Sequence, residues 1–379
     1  MGRDVLVVGG GIIGCSIALR LKQSGLNVAV VERGRIGRES SWAAAGMISP
    51  QTEASGPGPL FDLSLRSRAL YRDFAGEVAE LSGIDVQYRD EGALCIQLSE
   101  EDQRHARHWS GWQAEAGLPV EMVPLDTLRR LAPAVTEAAV GAIYVPDHQV
   151  ENRRLMAGLE AALRSLGVEM IEETAVDGLI IERDRVRGVL SGARRLGSGV
   201  VVIAAGCWSG ALLEPLGLKV ETTPARGQMV ALRGEGLPID HVLHSQKCYV
   251  IPRFDGRILV GATVEYVGFQ RGITAGGISS LLAAAIELAP VLRDCEIVET
   301  WSGLRPDTSD HQPILGPSGI DGLLLATGHF RNGILLAPVT ADLIAAAVSG
   351  GGTIPELIPF DIGRLLRTYE AGAADQPAR

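Results

Sequence analysis

The chain has 379 residues, 46% of them hydrophobic and 21% charged, with 45 acidic against 35 basic side chains and a net charge of -10. That length accommodates two domains and a large core, and the acidic balance, unrelieved by any lysine- or arginine-rich run, excludes nucleic acid as the expected partner. The longest apolar segment, 334–348, is interrupted by Pro338 and Asp342 and is shorter than the roughly 20 residues of a membrane span; without a basic leader or cleavage site at the N-terminus, a cytoplasmic protein with no membrane partner is expected.

Residues 5–8 form an apolar strand that breaks into Gly9, Gly10 and Gly11, followed by Ile12, Ile13 and Gly14. Gly9 permits the tight turn, Gly11 lets the backbone approach a pyrophosphate, and Gly14 lets the next helix pack on the sheet. Residues 27–32 read as the second strand, whose final Glu32 can accept both hydroxyls of an adenosine ribose. Strand, glycines, helix, strand and acid in this order predict a dinucleotide site, for a nicotinamide or a flavin cofactor equally.

Residues 34–51 are too rich in serine, alanine and glycine to form a core, and helical periodicity returns over 63–82. Residues 86–98 alternate like a strand pair turning at Asp90, Glu91 and Gly92. Helices are expected over 100–117 and 125–132, a strand over 141–146, a helix over 152–166, a strand over 168–171 and a strand pair around Asp184. The broken basic stretches 183–187 and 194–195 read as solvated turns. Residues 199–206 form a buried strand ending in Ala205 and Gly206, a second place where backbone can approach a cofactor. Antiparallel strands follow near 228–232, 248–253, 258–262 and 296–302, with a helix at 278–287; a strand at 322–328 leads into a helix over 333–349.

This order predicts an α/β protein with two interleaved domains. A Rossmann-like nucleotide domain comprises 1–84, 147–220 and 303–370. An α+β substrate domain on a mixed, largely antiparallel sheet comprises 85–146 and 221–302, and 371–379 form a flexible tail. The five cysteines, Cys15, Cys95, Cys207, Cys248 and Cys295, are odd in number and scattered, and read as reduced thiols. His105 with His108 and His241 with His244 have helical spacing but no acidic or cysteine partners, so no metal site is expected.

Several motifs carry a resemblance that spans nearly the whole chain. They are the glycine fingerprint with Glu32, Ser40-Ser41-Trp42-Ala43-Ala44-Ala45-Gly46-Met47, Ala205-Gly206-Cys207-Trp208-Ser209, Cys248-Tyr249-Val250-Ile251-Pro252-Arg253, Gly303-Leu304-Arg305-Pro306 and the eleven residues 328–338. In this order they resemble the glycine oxidase and D-amino-acid oxidase family of flavoenzymes, and within it the glycine oxidases of thiamine biosynthesis. The resemblance implies FAD lined by Ile12, Ile13, Glu32, Arg33, Ser40, Ser41, Ala45, Gly46, Met47 and Val176, with His329, Phe330, Arg331, Asn332, Gly333, Ile334 and Leu335 on its isoalloxazine side. Residues 328–338 read as a strand, a turn and a helix start whose N–H groups favour the negative charge of a reduced flavin.

On the substrate side, Arg305 suits a bidentate grip on an amino-acid carboxylate, Tyr249 can donate to its other oxygen, and Arg331 is a second cation. Met47, Lys247 and Val264 fall near the expected pocket; Lys247 stands where relatives tend to carry histidine, Val264 where methionine is usual, and Trp42 where a smaller residue is usual. No cysteine follows Cys295, so non-covalent FAD is expected. The implied reaction is oxidative deamination of glycine, sarcosine or D-alanine by hydride transfer to flavin, with oxygen as acceptor and hydrogen peroxide, ammonia and an imine or 2-oxo acid as products. Thiazole synthase is the implied consumer of the imine, and a homotetramer the implied assembly. The alternatives are a D-amino-acid dehydrogenase serving a quinone or another non-oxygen acceptor, and a flavin-fold subunit without catalysis.

Overall fold

The computed structural model describes residues 2–350 and 354–365, so the tail expected over 371–379 lies outside the described residues. A six-stranded sheet runs in the order Ile314–Pro317, Leu323–Thr327, Val200–Ile203, Val5–Val8, Val28–Val31, Glu169–Ile171. All its neighbours are parallel except the first pair. Its central strands are covered on both faces, which is why they read as continuous valine-rich runs rather than as alternation. The helix Ile12–Gln23 lies on one face against helix Ala337–Gly350, joining Ile17, Leu19 and Leu21 to Val339, Leu343 and Ile344 in one buried cluster. Each such aliphatic side chain contributes about 1.5–3 kcal/mol on full burial. Close packing explains two glycines: a Cβ at Gly14 would lie 1.9 Å from the Gly9 carbonyl oxygen, and Gly9 itself has φ 110.

The second sheet has eight strands, in the order Ile297–Asp307, Thr223–Arg233, Arg257–Gly261, Tyr249–Pro252, Val242–His244, Ala93–Gln97, Gly141–Val145, Glu121–Val123. Its one parallel pair joins Val242–His244 to Ala93–Gln97. Side chains alternate between its faces: Val230 and Leu232 pack under helix Ala275–Leu288, whereas Met229 and Ala231 join Tyr249, Ile251 and Trp301 on the opposite face. That opposite face meets Ala43 and Ala45, so the eight-stranded sheet walls the cleft in front of the six-stranded one. The α/β architecture with a largely antiparallel second sheet is therefore as expected. All five cysteines are free. No helix among the described residues is long and apolar enough to cross a membrane.

Several local expectations need correction. Residues 86–98 are not a hairpin: only Ala93–Gln97 forms a strand, its partners are Gly141–Val145 and Val242–His244, and Arg89 makes an isolated bridge to Gln149. Alternation marks a half-buried strand without naming its partner. The basic stretches are solvated but are not all turns: Arg185–Ser191 and Arg194–Gly197 pair in a three-stranded sheet with Gly178–Glu182, and only Arg183 and Asp184 turn, at φ 52 and 58. His244 lies on a strand, so its spacing from His241 does not place the two on one helical face. The last helix begins at Ala337 rather than 333. Pro338 fits its first turn, where a missing N–H costs nothing.

Candidate active site

The nucleotide end is built on the first helix. Gly11 provides no side-chain cap and no acidic residue occupies the first turn, so the positive dipole end there is open to an anion even though one of its N–H groups, that of Ile12, is already taken. Ser41, on the short helix Ser40–Ala43, accepts the Ile12 N–H at 2.9 Å. Glu32 is buried at the end of its strand, and its carboxylate accepts the N–H groups of Gly10 and Gly34, each at 2.8 Å. The Arg33 guanidinium lies 3.9 Å over the Trp208 ring.

From there one cleft runs past Gly9, Gly11, Ile12, Ile13, Ser40, Ser41, Ala45, Gly46, Met47, Val176, Ala205 and Gly206 to the turn containing His329, Phe330, Arg331, Asn332, Gly333, Ile334 and Leu335. Gly14 lies beneath this lining, against Gly9. In the turn, Asn332 N–H donates to the His329 carbonyl and Leu336 N–H to the Asn332 carbonyl, both at 2.8 Å. The N–H groups of Gly333, Ile334 and Leu335 have no acceptor among the described residues. The His329 ring is turned into the core, 3.2 Å from the Thr340 hydroxyl, and burial pushes its pKa down to about 3. It is a neutral packing group rather than a proton carrier at the cleft.

At the other wall, Tyr249 and Arg305 project from the eight-stranded sheet. Arg305 Nη1 donates to the Thr263 carbonyl at 3.0 Å, and the guanidinium lies over Gly227, where a Cβ would approach Nη1 to 2.3 Å. Arg305 makes no ion pair among the described residues, and burial lowers its pKa against the favourable neighbourhood of Tyr249. Burial raises the Tyr249 pKa, opposed by the Arg305 cation, so the phenol keeps its proton as a donor. Gly261 passes under the Tyr249 ring, where a Cβ would lie 2.6 Å from ring atoms and hydroxyl.

Arg331, Val264 and Met47 also line the cleft, but Lys247 does not. Its ammonium reaches Glu287 at 2.7 Å on the outer surface, because the side chain points along the solvent side of the turn before Tyr249. Trp42 is likewise turned away, under Arg153 at 3.6 Å and edge-on to Trp301.

Glu53, which the sequence did not single out, and Arg253, read there only as part of a motif, complete the site. Glu53 lines the cleft and pairs with Arg331 at 2.9 Å, and His244 approaches Glu53 at 4.0 Å. An isolated acid in a polar loop carries no local signal. Arg253 was legible in its motif, though its task was not. Fully inside the protein, it donates to the carbonyls of Ala45 at 2.5 Å and Val150 at 3.0 Å, tying the second sheet to the loop 45–47. With no carboxylate touching it, burial pulls its pKa down to about 10.

The residues present fit FAD: a glycine-opened helix start with its positive dipole end towards the cleft for a pyrophosphate, an acid for a ribose, and at the far end three N–H groups with no acceptor among the described residues. Comparisons with known proteins agree. The DAO family, FAD dependent oxidoreductase, matches residues 4–347. Glycine oxidase of Bacillus licheniformis is 35% identical over 94% of this chain and 95% of its own. The bifunctional protein ThiO/ThiG of Synechocystis is 38% identical over 96% of this chain, which spans 54% of that protein. The crystal structure of glycine oxidase from Geobacillus kaustophilus superposes with a TM-score of 0.91 at 35% identity, covering 95% of this chain and 98% of that one. FAD is therefore the cofactor of this cleft, and the chain belongs to the DAO family of FAD-dependent oxidoreductases.

Proposed function

We propose that the enzyme oxidises glycine and other small amines such as sarcosine and D-alanine, with non-covalent FAD and oxygen as acceptor. The observation that carries this reading is Arg305, a desolvated guanidinium with no acidic partner among the described residues, beside the protonated Tyr249 hydroxyl in the cofactor cleft. A carboxylate supplies the missing counter-charge, and a planar fork holds it in one orientation. The similarity to glycine oxidases supports the choice of glycine.

In this reading Glu32 holds the adenosine ribose, the Ile12–Gln23 helix start holds the pyrophosphate, and the N–H groups of Gly333, Ile334 and Leu335 face the flavin. Bound FAD supplies a hydride acceptor. Arg305 and Tyr249 would hold the carboxylate and so orient the α-carbon, with Met47 and Val264 lining the space around it. The substrate enters as its free amine; its nitrogen lone pair forms the C=N bond as the hydride leaves, giving the protonated imine. Because the amine enters as its free base, no side-chain base is required. Water then releases ammonia and the 2-oxo acid, or a thiazole synthase consumes the imine, a link that the ThiO/ThiG relatives support. Oxygen takes the two electrons and two protons to give hydrogen peroxide.

The FAD-binding domain is assigned to 1–84, 147–220 and 303–370 and the substrate domain to 85–146 and 221–302, with strand Ile297–Asp307 carrying Arg305 from one into the other. Peroxide release from the air-equilibrated holoenzyme on adding glycine tests the reading. Flavin bleaching without peroxide would favour a dehydrogenase, and no bleaching by glycine, sarcosine or D-alanine would refute it.

A further inference from the structure

The cleft contains an ion pair that the proposed reaction does not use. Arg331 follows strand Leu323–Thr327 and Glu53 follows strand Met47–Ile48, and both Glu53 oxygens lie 2.9 Å from Arg331 Nη2. The Glu53 side chain is 14% exposed and that of Arg331 40%, so the pair stands where the cleft meets solvent. Tyr249, Arg305, Glu53 and Arg331 line the same cleft, which opens the pair to a molecule held on Arg305.

The charges at this end of the cleft nearly cancel. Arg305 and Arg331 are positive, Glu53 is negative, and burial keeps His244 neutral at pH 7. The remaining single positive charge matches one carboxylate on a free amine. A second carboxylate would make the filled site net negative, beside an acid that already occupies Arg331.

We propose that Glu53 is a specificity-determining residue: by occupying Arg331 it restricts the site to amines with a single carboxylate. The inference rests on the reading that Arg305 takes the substrate carboxylate. It makes Arg331 a latent second carboxylate site, closed by charge rather than by bulk.

Two ligand pairs test it on the holoenzyme. Iminodiacetate and glycine differ by one N-carboxymethyl group; oxydiacetate and methoxyacetate are unreactive ethers with the same difference in charge, and their binding is read from perturbation of the flavin absorbance. Wild type is expected to favour methoxyacetate over oxydiacetate. Glu53→Gln should raise the oxydiacetate-to-methoxyacetate affinity ratio roughly tenfold, and the iminodiacetate-to-glycine ratio of kcat/KM in the same direction. Glu53→Asp, which keeps the charge, should hold the wild-type ratio, and the double variant Glu53→Gln/Arg331→Gln should lose the gain.

A wild-type preference for oxydiacetate, an unchanged ratio in FAD-loaded Glu53→Gln, or a double variant that keeps the gain would each overturn the proposal. If Glu53→Gln does not retain FAD, Glu53→Ala carries the same expected ratio. Failure of the underlying reading looks different: neither ether would perturb the wild-type flavin, and glycine would not bleach it.

Discussion

Gly227→Ala isolates the contribution of Arg305 without touching that residue. Gly227 stands opposite Gly303 in the long ladder, and a Cβ there would lie 2.3 Å from Nη1, 2.4 Å from Nη2 and 2.5 Å from Cζ of Arg305. Ordinary contact begins at 3.4 Å, so the guanidinium must retreat by about 1 Å. It is the far end of a flexible side chain on an intact strand, and the backbone at Gly227 needs no left-handed conformation, so the fold and bound FAD should survive. A misplacement of about 1 Å costs roughly 100-fold when binding geometry positions the reacting atoms, or about 2.7 kcal/mol. The assay is anaerobic flavin bleaching by glycine in a stopped-flow instrument, with FAD content measured by absorbance. The bleaching rate at subsaturating glycine should fall roughly 100-fold at unchanged FAD stoichiometry. A rate within about twofold of wild type in the FAD-loaded variant would remove Arg305 from the substrate site.

Glu32→Ala should weaken FAD binding to the apoprotein by about 2 kcal/mol, since it removes a charge-assisted acceptor and frees the Gly10 and Gly34 N–H groups it holds; fluorescence titration measures this, and an unchanged Kd would refute the ribose role. His329 takes up a proton near pH 6.5 in the unfolded chain but only near pH 3 in the fold, so its contribution to stability is lost as pH falls through that window, at about 1.4 kcal/mol per pH unit. Urea midpoints from pH 7 to pH 4 should therefore fall less steeply for His329→Gln than for wild type, and parallel slopes would refute the assignment. Lys247→Ala should leave the KM for glycine unchanged, because the ammonium pairs with Glu287 outside the cleft; a several-fold change would place Lys247 in the pocket after all.

The nucleotide half of this protein was legible because its requirements are local. A tight turn, a close backbone approach and a helix start all fall within ten residues of Val5, and each demands a glycine or an apolar residue at a set spacing. Glu32 follows from the next strand for the same reason. The motif around Arg305 was readable through the family resemblance and its place before Pro306 at a strand end, whereas the desolvation of its guanidinium came only with the structure. Pairing was not readable: the alternation over 86–98 gave a strand but the wrong partner, since side-chain period says which face is buried and nothing about what lies beside it.

Sequence alone thus determined a dinucleotide site and an α/β fold, and its resemblance to a flavoenzyme family pointed to FAD and to Arg305 and Tyr249, both of which line the cleft. Only the tertiary structure decided which charges meet. It turned Lys247 outward to Glu287, drew His329 into the core, and set Glu53 against Arg331 across 278 residues of chain. The physical reason is range: backbone geometry is written in neighbouring residues, whereas an electrostatic environment is the sum of groups that folding brings together from distant parts of the chain.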